Sequence, residues 1–372
     1  SQFSKNSFQL GVIFFVNLIL SMQKSPLHPF SATIISWYTK HQRELPWRQT
    51  KDPYAIWLSE IILQQTRVAQ GLPYFDRLIT AFPTVKDLAE APEVSLFRIW
   101  QGLGYYSRAR NLQKAAQMVM LEFKGDFPTT YEEIIRLPGV GPYTAAAIAS
   151  FAFDEAKAVV DGNVYRVLSR VFAVETDIAS SAARGIFTSL AQSLIPLEDP
   201  ATFNQAIMEF GALQCTPAPD CSVCPLRISC VAFSEKRVAE LPLKLKKTQV
   251  KEIQMDYLVI EQKGQILVRE RAEKGIWKGL WELYLIEDSA DWLPFTRQAL
   301  KSPAVHLLSH RKIHCKAWYV QVPDNFDLDI PKGYRWMSPS DFESKGKPVL
   351  LLNLITDNLD CPILQDISPT YL

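Results

Sequence analysis

The sequence predicts a multidomain chain, all-helical first and α+β second. Segments of helical apolar periodicity recur from Phe30 to Ala212. The stretch Pro242 to Lys251, PLKLKKTQVK, is basic and polar with no apolar period, and reads as a linker. Beyond it the runs Met255 to Ile260, Gln265 to Arg269, Glu282 to Ile286 and Ala317 to Val322 are β-rich. Residues 291–300 read as a helix. The second domain should therefore carry a mixed or antiparallel sheet.

A chain of 372 residues has room for two or three domains, and 48% hydrophobic residues suit one that buries real cores. Lys+Arg 40 against Asp+Glu 39 leaves +1, so no global field draws the protein to nucleic acid. Any such binding must come from local patches. Residues 1–25 read as a leader or misread start. Their apolar run, Leu10 to Leu20, is too short to span a bilayer, and Ser21 to Pro29 offers no small-x-small cleavage site.

Ile34, Ile35, Trp37 and Tyr38 share one face of a helix over 30–41. Leu45-Pro-Trp-Arg48 makes a stiff aromatic-basic corner. Asp52-Pro53 then caps and starts a helix running through Thr66. That helix sets Glu60 among Ile56, Trp57, Ile61 and Leu63. If the carboxyl is buried there, desolvation raises its pKa; if it lies on the polar side, it is simply solvated. Further helices are expected near 71–81, 84–90, 93–100, 111–124, 131–136, 143–153, 163–173, 181–194 and 200–212.

Between two of them, Gly102-Leu-Gly-Tyr105-Tyr106 is a Gly-spaced loop followed by Arg108 and Arg110. Aromatics beside arginines suit a wedge into stacked bases, or a loop pinned by tyrosine packing. The turn Leu137-Pro-Gly139-Val140-Gly141, between short helices, makes a helix–hairpin–helix unit. Its glycines can take positive φ and present backbone N–H groups to an anion such as a duplex phosphate. The plainer reading is an αα-turn that packs two helices, with Asp161 of Asp161-Gly162-Asn163 as a helix N-cap. Cys215, Cys221, Cys224 and Cys230, spaced C-x5-C-x2-C-x5-C, suit a [4Fe–4S] cluster or zinc. Cys315 and Cys361 stand apart.

Taken together, LPWR, SEIILQQTRV, GLGYYSRARNL, LPGVGPYTA, VVDGNVYRVLSR, NQAIMEFGAL, the four cysteines and a later GLWE resemble the MutY family of adenine DNA glycosylases. That family belongs to the endonuclease III-like helix–hairpin–helix superfamily. The resemblance covers about 30–370. It implies a glycosylase domain over 26–235 with a six-helix and an iron–sulfur subdomain, a basic linker over 236–250, and a Nudix-like domain over 251–372. No Nudix hydrolase box appears in that last part, so it should bind and not hydrolyse.

The resemblance implies excision of adenine opposite 8-oxoguanine or guanine in duplex DNA, by a monomer in the cytoplasm at the bacterial nucleoid, with no membrane. Glu60 matches the acid that protonates adenine N7. Asp161 matches the carboxylate that stabilises the sugar C1′, held ionised by its Gly162/Asn163 turn and helix N-terminus. Tyr143 stands where lyase members carry a Schiff-base lysine, which implies a monofunctional enzyme. Gln65 fills the gap left by the extruded base, and Tyr105 wedges beside the lesion with Leu103 and Thr66 nearby. Arg48 and Glu209 match adenine contacts, the turn at Gly139, Val140 and Gly141 grips the backbone, and Ser309 and His310 read 8-oxoguanine. The four cysteines match the [4Fe–4S] ligands.

Three departures stand out, one being that residues 1–21 have no counterpart in the family's pattern. The first cysteine spacing is five where the family usually has six, and Leu308 replaces a common phenylalanine before Ser309-His310. A sister glycosylase acting on oxidised pyrimidines or thymine mismatches, or a non-catalytic redox-sensing DNA binder, are the competing readings. Tyr143 and the second domain oppose oxidised pyrimidines, and the two carboxyls oppose a mere binder.

Overall fold

Asp52 caps the helix Pro53–Leu63 through both carboxylate oxygens, 3.1 Å from Tyr54 N and 3.3 Å from Ala55 N. Thr84, Thr130, Asp161 and Asp199 cap four others, each accepting from one backbone N–H through a side-chain oxygen. These caps explain why the helical half was legible. The computed structural model describes residues 27–245, 250–271, 276–287, 293–301, 305–308 and 311–367. The expected leader, 1–25, lies outside the described residues, as do Ser309 and His310. By packing, the chain forms two units, residues 1–45 with 149–245 and residues 46–148 with 246–372.

In the first unit the helices Pro29–His41, Gly162–Phe172, Ala183–Leu194 and Pro200–Leu213 enclose one core. Ile34, Val167, Leu168, Phe187, Phe203 and Ile207 are fully buried there. Trp37 packs edge-on to Phe210 at 5.0 Å. The cysteine segment follows Leu213 and ends in the short helix Val231–Ser234.

In the second unit the helices Pro53–Leu63, Val68–Ala81, Val85–Glu90, Glu93–Trp100 and Ser107–Glu122 precede the short helix Tyr131–Ile134 and the hairpin turn. Nine strands follow among the described residues: β1 Lys251–Gln254, β2 Asp256–Gln262, β3 Gln265–Glu270, β4 Trp281–Ile286, β5 Gln298–Ala299, β6 His306–Leu308, β7 Arg311–His314, β8 Ala317–Gln321 and β9 Tyr334–Met337. The larger sheet runs β5-β8-β2-β4-β3-β9, mixed, with β2 and β8 parallel. The smaller runs β1-β7-β6. Lys263 (φ 52°) and Gly264 (φ 70°) make the two-residue hairpin from β2 to β3. The helix Val349–Thr356 covers one face, burying Leu350, Leu351, Leu354 and Ile355 with Val259 and Val268.

Three elements differ from expectation. The helix from Pro53 ends at Leu63, three residues short of Thr66, for a tertiary reason given below. No helix occupies 293–301: an irregular stretch containing Pro294 leads to β5, which pairs with β8 through Gln298 and Ala299. Lys251 is not linker but the start of β1, which is parallel to β7. No helix among the described residues is long and apolar enough to cross a membrane.

Candidate active site and nucleic-acid interface

Glu60 sits one turn from the end of Pro53–Leu63, a helix in which nearly every side chain is buried, and its own carboxyl is buried. The sequence left open whether it faced solvent; it does not. The chain then turns sharply. Gln64 is extended and Gln65 adopts φ 57°, an exposed residue in left-handed backbone. Arg108 causes the turn. Its buried guanidinium reaches the carbonyls of Ile61 (3.1 Å), Ile62 (2.9 Å) and Gln64 (2.5 Å), which an intact helix would bond internally.

The same guanidinium bonds the carbonyls of Leu103 (3.1 Å) and Gly104 (3.3 Å). Trp100 Nε1 also donates to Gly104 O at 3.0 Å. Within this loop Gly102 (φ 94°) lies against the Tyr74 hydroxyl, where a Cβ would fall 2.5 Å away. Tyr105 is exposed at φ 47°. Tyr106 and Leu103 are buried, so Leu103 shapes the loop from within instead of facing outward. Thr66 is half-buried, within 3.4 Å of Arg108 Nη1. Arg48 is half-buried at the end of the short helix Pro46–Arg48, beside Trp47, which packs on Phe75 at 5.1 Å.

At the hairpin, Gly139 takes φ 79° and a Cβ on it would fall 2.7 Å from Asn111 Cβ. Gly141 needs neither the positive φ nor the space: a Cβ there meets nothing within 4 Å. Val140 is buried. The turn leaves open space beside Gly141 at the start of the helix Pro142–Phe153, whose second residue is the half-buried Tyr143.

In the first unit Asp161 is the N-cap of Gly162–Phe172. One oxygen accepts from Val164 N at 2.7 Å, the other from Asn163 Nδ2 at 2.9 Å. Asn163 Oδ1 in turn accepts from Arg166 Nη2 at 2.8 Å. Arg166 also donates to Gly211 O (2.7 Å) and, through Nε, to Cys215 O (2.7 Å). Burial raises the Asp161 pKa; the bonds from Val164 and Asn163 and the charge of Arg166 oppose it without cancelling it. The expected helix-terminus effect is therefore present but outweighed.

Glu209 is buried, and its carboxylate takes hydrogen bonds from Arg43 N (3.0 Å), Nε (2.8 Å) and Nη2 (2.6 Å). These bonds tie Glu209 to Arg43 within the first unit.

Cys215, Cys221, Cys224 and Cys230 line one apolar cavity with Phe210 and Leu226. The short first spacing does not take Cys215 out of the set. Arg170 ties this segment down, donating to Thr216 O (2.6 Å), Pro217 O (2.9 Å) and Leu241 O (3.0 Å). Burial pushes the Cys224 thiol up to about 11 and raises Cys221 and Cys230 as well. A bound cation would reverse that by displacing the protons. Among the described residues no three His, Cys, Asp or Glu side chains converge where a single ion could bind.

Comparison with known proteins fits this geometry. Residues 58–192 match the family described as HhH-GPD superfamily base excision DNA repair protein, and 256–357 match the NUDIX domain. The adenine DNA glycosylase of Buchnera aphidicola subsp. Baizongia pistaciae is 35% identical over 338 residues, covering 88% of this chain and 96% of that one. The chain belongs to the adenine DNA glycosylase family. The Homo sapiens adenine DNA glycosylase is 33% identical over 388 residues, covering 85% of this chain and 71% of that one. A solved thermostable thymine-DNA glycosylase superposes with a TM-score of 0.52 and 29% identity over 55% of this chain and 95% of its own. This glycosylase is thus a DNA N-glycosylase of helix–hairpin–helix type followed by a Nudix-like domain.

Four residues shape the site in ways the sequence pattern does not show. Arg108, expected beside an aromatic wedge, is the buried clamp of two loops. Asn204 is buried and bonds Ser150 Oγ (2.8 Å), Lys157 O (2.9 Å) and Val159 N (3.0 Å), fixing the strand-like path into Asp161. Arg166 and Gly211 set Asn163; a Cβ on Gly211 would fall 2.7 Å from Asn163 Cβ. For Asn204, Arg166 and Gly211 the cue available was their place inside VVDGNVYRVLSR and NQAIMEFGAL.

Proposed function

We propose that this glycosylase excises adenine mispaired with 8-oxoguanine or guanine, as a monofunctional enzyme acting on duplex DNA. The observation that carries the reading is Glu60, a buried carboxyl on an apolar helix whose end is bent into the exposed Gln65. A carboxyl within reach of a poor leaving group can act as its general acid. Extruding the base costs a few kcal/mol. Gln65 would occupy the gap, and Tyr105 would wedge beside the opposite base. Arg48 would contact the adenine.

Glu60 would pass its proton to adenine N7. The bond from N9 to C1′ breaks with its electron pair leaving on the base, through an oxocarbenium-like state. Asp161, held by Val164 and Asn163, would face C1′ as the stabilising charge until water adds there and its proton passes to solvent. Tyr143 has no amine for a Schiff base, so an abasic site would be the product. The hairpin Gly139, Val140 and Gly141 would take a phosphate, and Ser309 and His310 would read the lesion.

The four cysteines would hold a [4Fe–4S] cluster through their thiolates, which would tie the segment together. Their common cavity supports this; iron and sulfide analysis of anaerobically purified protein tests it, and stoichiometric zinc without iron would overturn it.

The decisive assay measures adenine release from duplexes carrying A opposite 8-oxoguanine, G, C or T. Glu60→Gln should bind the mispair and release no adenine. Unchanged release would remove Glu60 from the mechanism. The likeness to a thymine-DNA glycosylase supports a second reading, release of T opposite G, which the same assay with a T:G duplex decides. Borohydride trapping should give little covalent adduct.

A further inference from the structure

Arg108 and Arg110 lie two residues apart on one helix, so their side chains leave it on opposite sides. Arg108 turns into the helices. Arg110 turns to the sheet-bearing part of the same unit. Its Nη2 donates to Lys278 O at 2.7 Å and its Nε to Glu93 at 3.1 Å, while the guanidinium lies over Phe97, 5.1 Å from the ring centre. Gly279 makes room for it. Gly279 sits at φ 71°, and a Cβ there would fall inside van der Waals contact of Arg110 Nη2.

The turn that Arg110 grips is gripped from the other side too. Arg271 donates to Ile276 O at 3.0 Å and pairs with the buried Glu282. Gly279 N donates to Arg271 O at 3.0 Å. Trp277 on this turn meets His306 edge-on at 5.9 Å. Together Tyr105, Tyr106, Arg110, Trp277, His306 and Leu308 line a cavity of about 370 Å³. One wall is the loop of Tyr105, the other is the sheet domain, and Arg110 is the bracket that fixes their separation.

We propose that Arg110, seated on Gly279, is a positioning residue that sets the discrimination between bases opposite adenine. The proposal rests on the function proposed above and deepens it. Arg110 touches no reacting atom. It holds the Trp277–Gly279 turn against the Tyr105 loop, so that both walls meet the opposite base in fixed register. Arg is required because a planar fork reaches Glu93 and the Lys278 carbonyl together, which an ammonium cannot do as well.

Single-turnover adenine release by the full-length protein tests this, with A opposite 8-oxoguanine and A opposite G. Arg110→Ala should slow the 8-oxoguanine duplex roughly ten-fold and the G duplex by less than about two-fold, since misplacing a wall costs most where it is used. Gly279→Ala should do the same, and the double variant should be no worse than the more severe single, because both break one contact. Arg110→Lys should lie between wild type and Arg110→Ala, and carries the test should the alanine variant not fold. A wild-type rate ratio in the folded variant, or equal slowing of both duplexes, would overturn the proposal. If wild type itself released no adenine from either duplex, the function reading would fall instead.

Discussion

Gln65 and Tyr105 share a left-handed backbone, φ 57° and 47°, and each follows a carbonyl held by the guanidinium of Arg108. Two exposed residues proposed to enter the duplex are therefore set by one buried cation. Non-glycine residues at positive φ cost on the order of 1 kcal/mol or more and persist where the surroundings enforce them. Here the enforcing group is Arg108, which also ends the helix that carries Glu60.

Replacing Arg108 with Lys should therefore loosen both loops at once. The ammonium cannot serve five carbonyls from two directions, and the unmet ones are buried. We expect a stability loss of about 2–4 kcal/mol in urea unfolding. Adenine release should fall on every duplex alike, in contrast to the selective loss expected for Arg110. A fluorescent adenine analogue placed opposite 8-oxoguanine would show less extrusion. Retained extrusion with normal stability would show that Arg108 is dispensable to the loops.

How much of this was legible beforehand depends on the range of the cause. The caps at Asp52, Thr84 and Thr130 act within three residues, so helix starts could be read directly. The end of Pro53–Leu63 is set by Arg108, more than forty positions on, and nothing in SEIILQQTRV marks it. Likewise β5 and β1 are strands because β8 and β7 pair with them, not through their own pattern. The carboxyls and cysteines were visible as residue types. The bonds that orient them, from Asn204, Arg166, Arg170 and Arg43, were not.

Asp161 carries an electrostatic cost in the fold. Its folded-state pKa lies above that of the unfolded chain, because burial outweighs its hydrogen bonds. Folding therefore favours the protonated form, and the ionised form lowers stability. That cost is absent below the unfolded value, about 3.9, appears as pH rises through the window between the two values, and is complete above the folded one. Asp161→Asn keeps a capping side chain. It should be as stable as wild type or more so at neutral pH, lose that advantage in acid, and release no adenine. A variant clearly less stable than wild type at pH 7 would contradict this account.

The path Cys215 carbonyl, Arg166, Asn163, Asp161 joins the cysteine segment to the proposed stabilising carboxylate by bonds of 2.7, 2.8 and 2.9 Å. Arg166→Ala should free Asn163 to turn and leave Asp161 with one hydrogen bond fewer. Adenine release should slow roughly ten-fold or more, with duplex affinity little changed, as read by single-turnover kinetics beside a binding titration. Equal losses in affinity and rate would indicate general damage to the cysteine segment instead.

Glu209 separates two roles by experiment. Its carboxylate is buried and takes three hydrogen bonds from Arg43, whose own pKa is raised chiefly by that bond. A paired buried carboxylate that loses its cation is costly, but Arg43 is more than a third exposed, so water offsets part of the loss. We expect Arg43→Ala to destabilise the protein by about 2 kcal/mol. Glu209→Gln removes the charge, keeps the shape and still accepts one bond, so it should cost about 1–2 kcal/mol. If anchoring Arg43 is what Glu209 does, Glu209→Gln should lose stability while its single-turnover adenine release stays within a few-fold of wild type. Normal stability with abolished release would instead place Glu209 at the base itself.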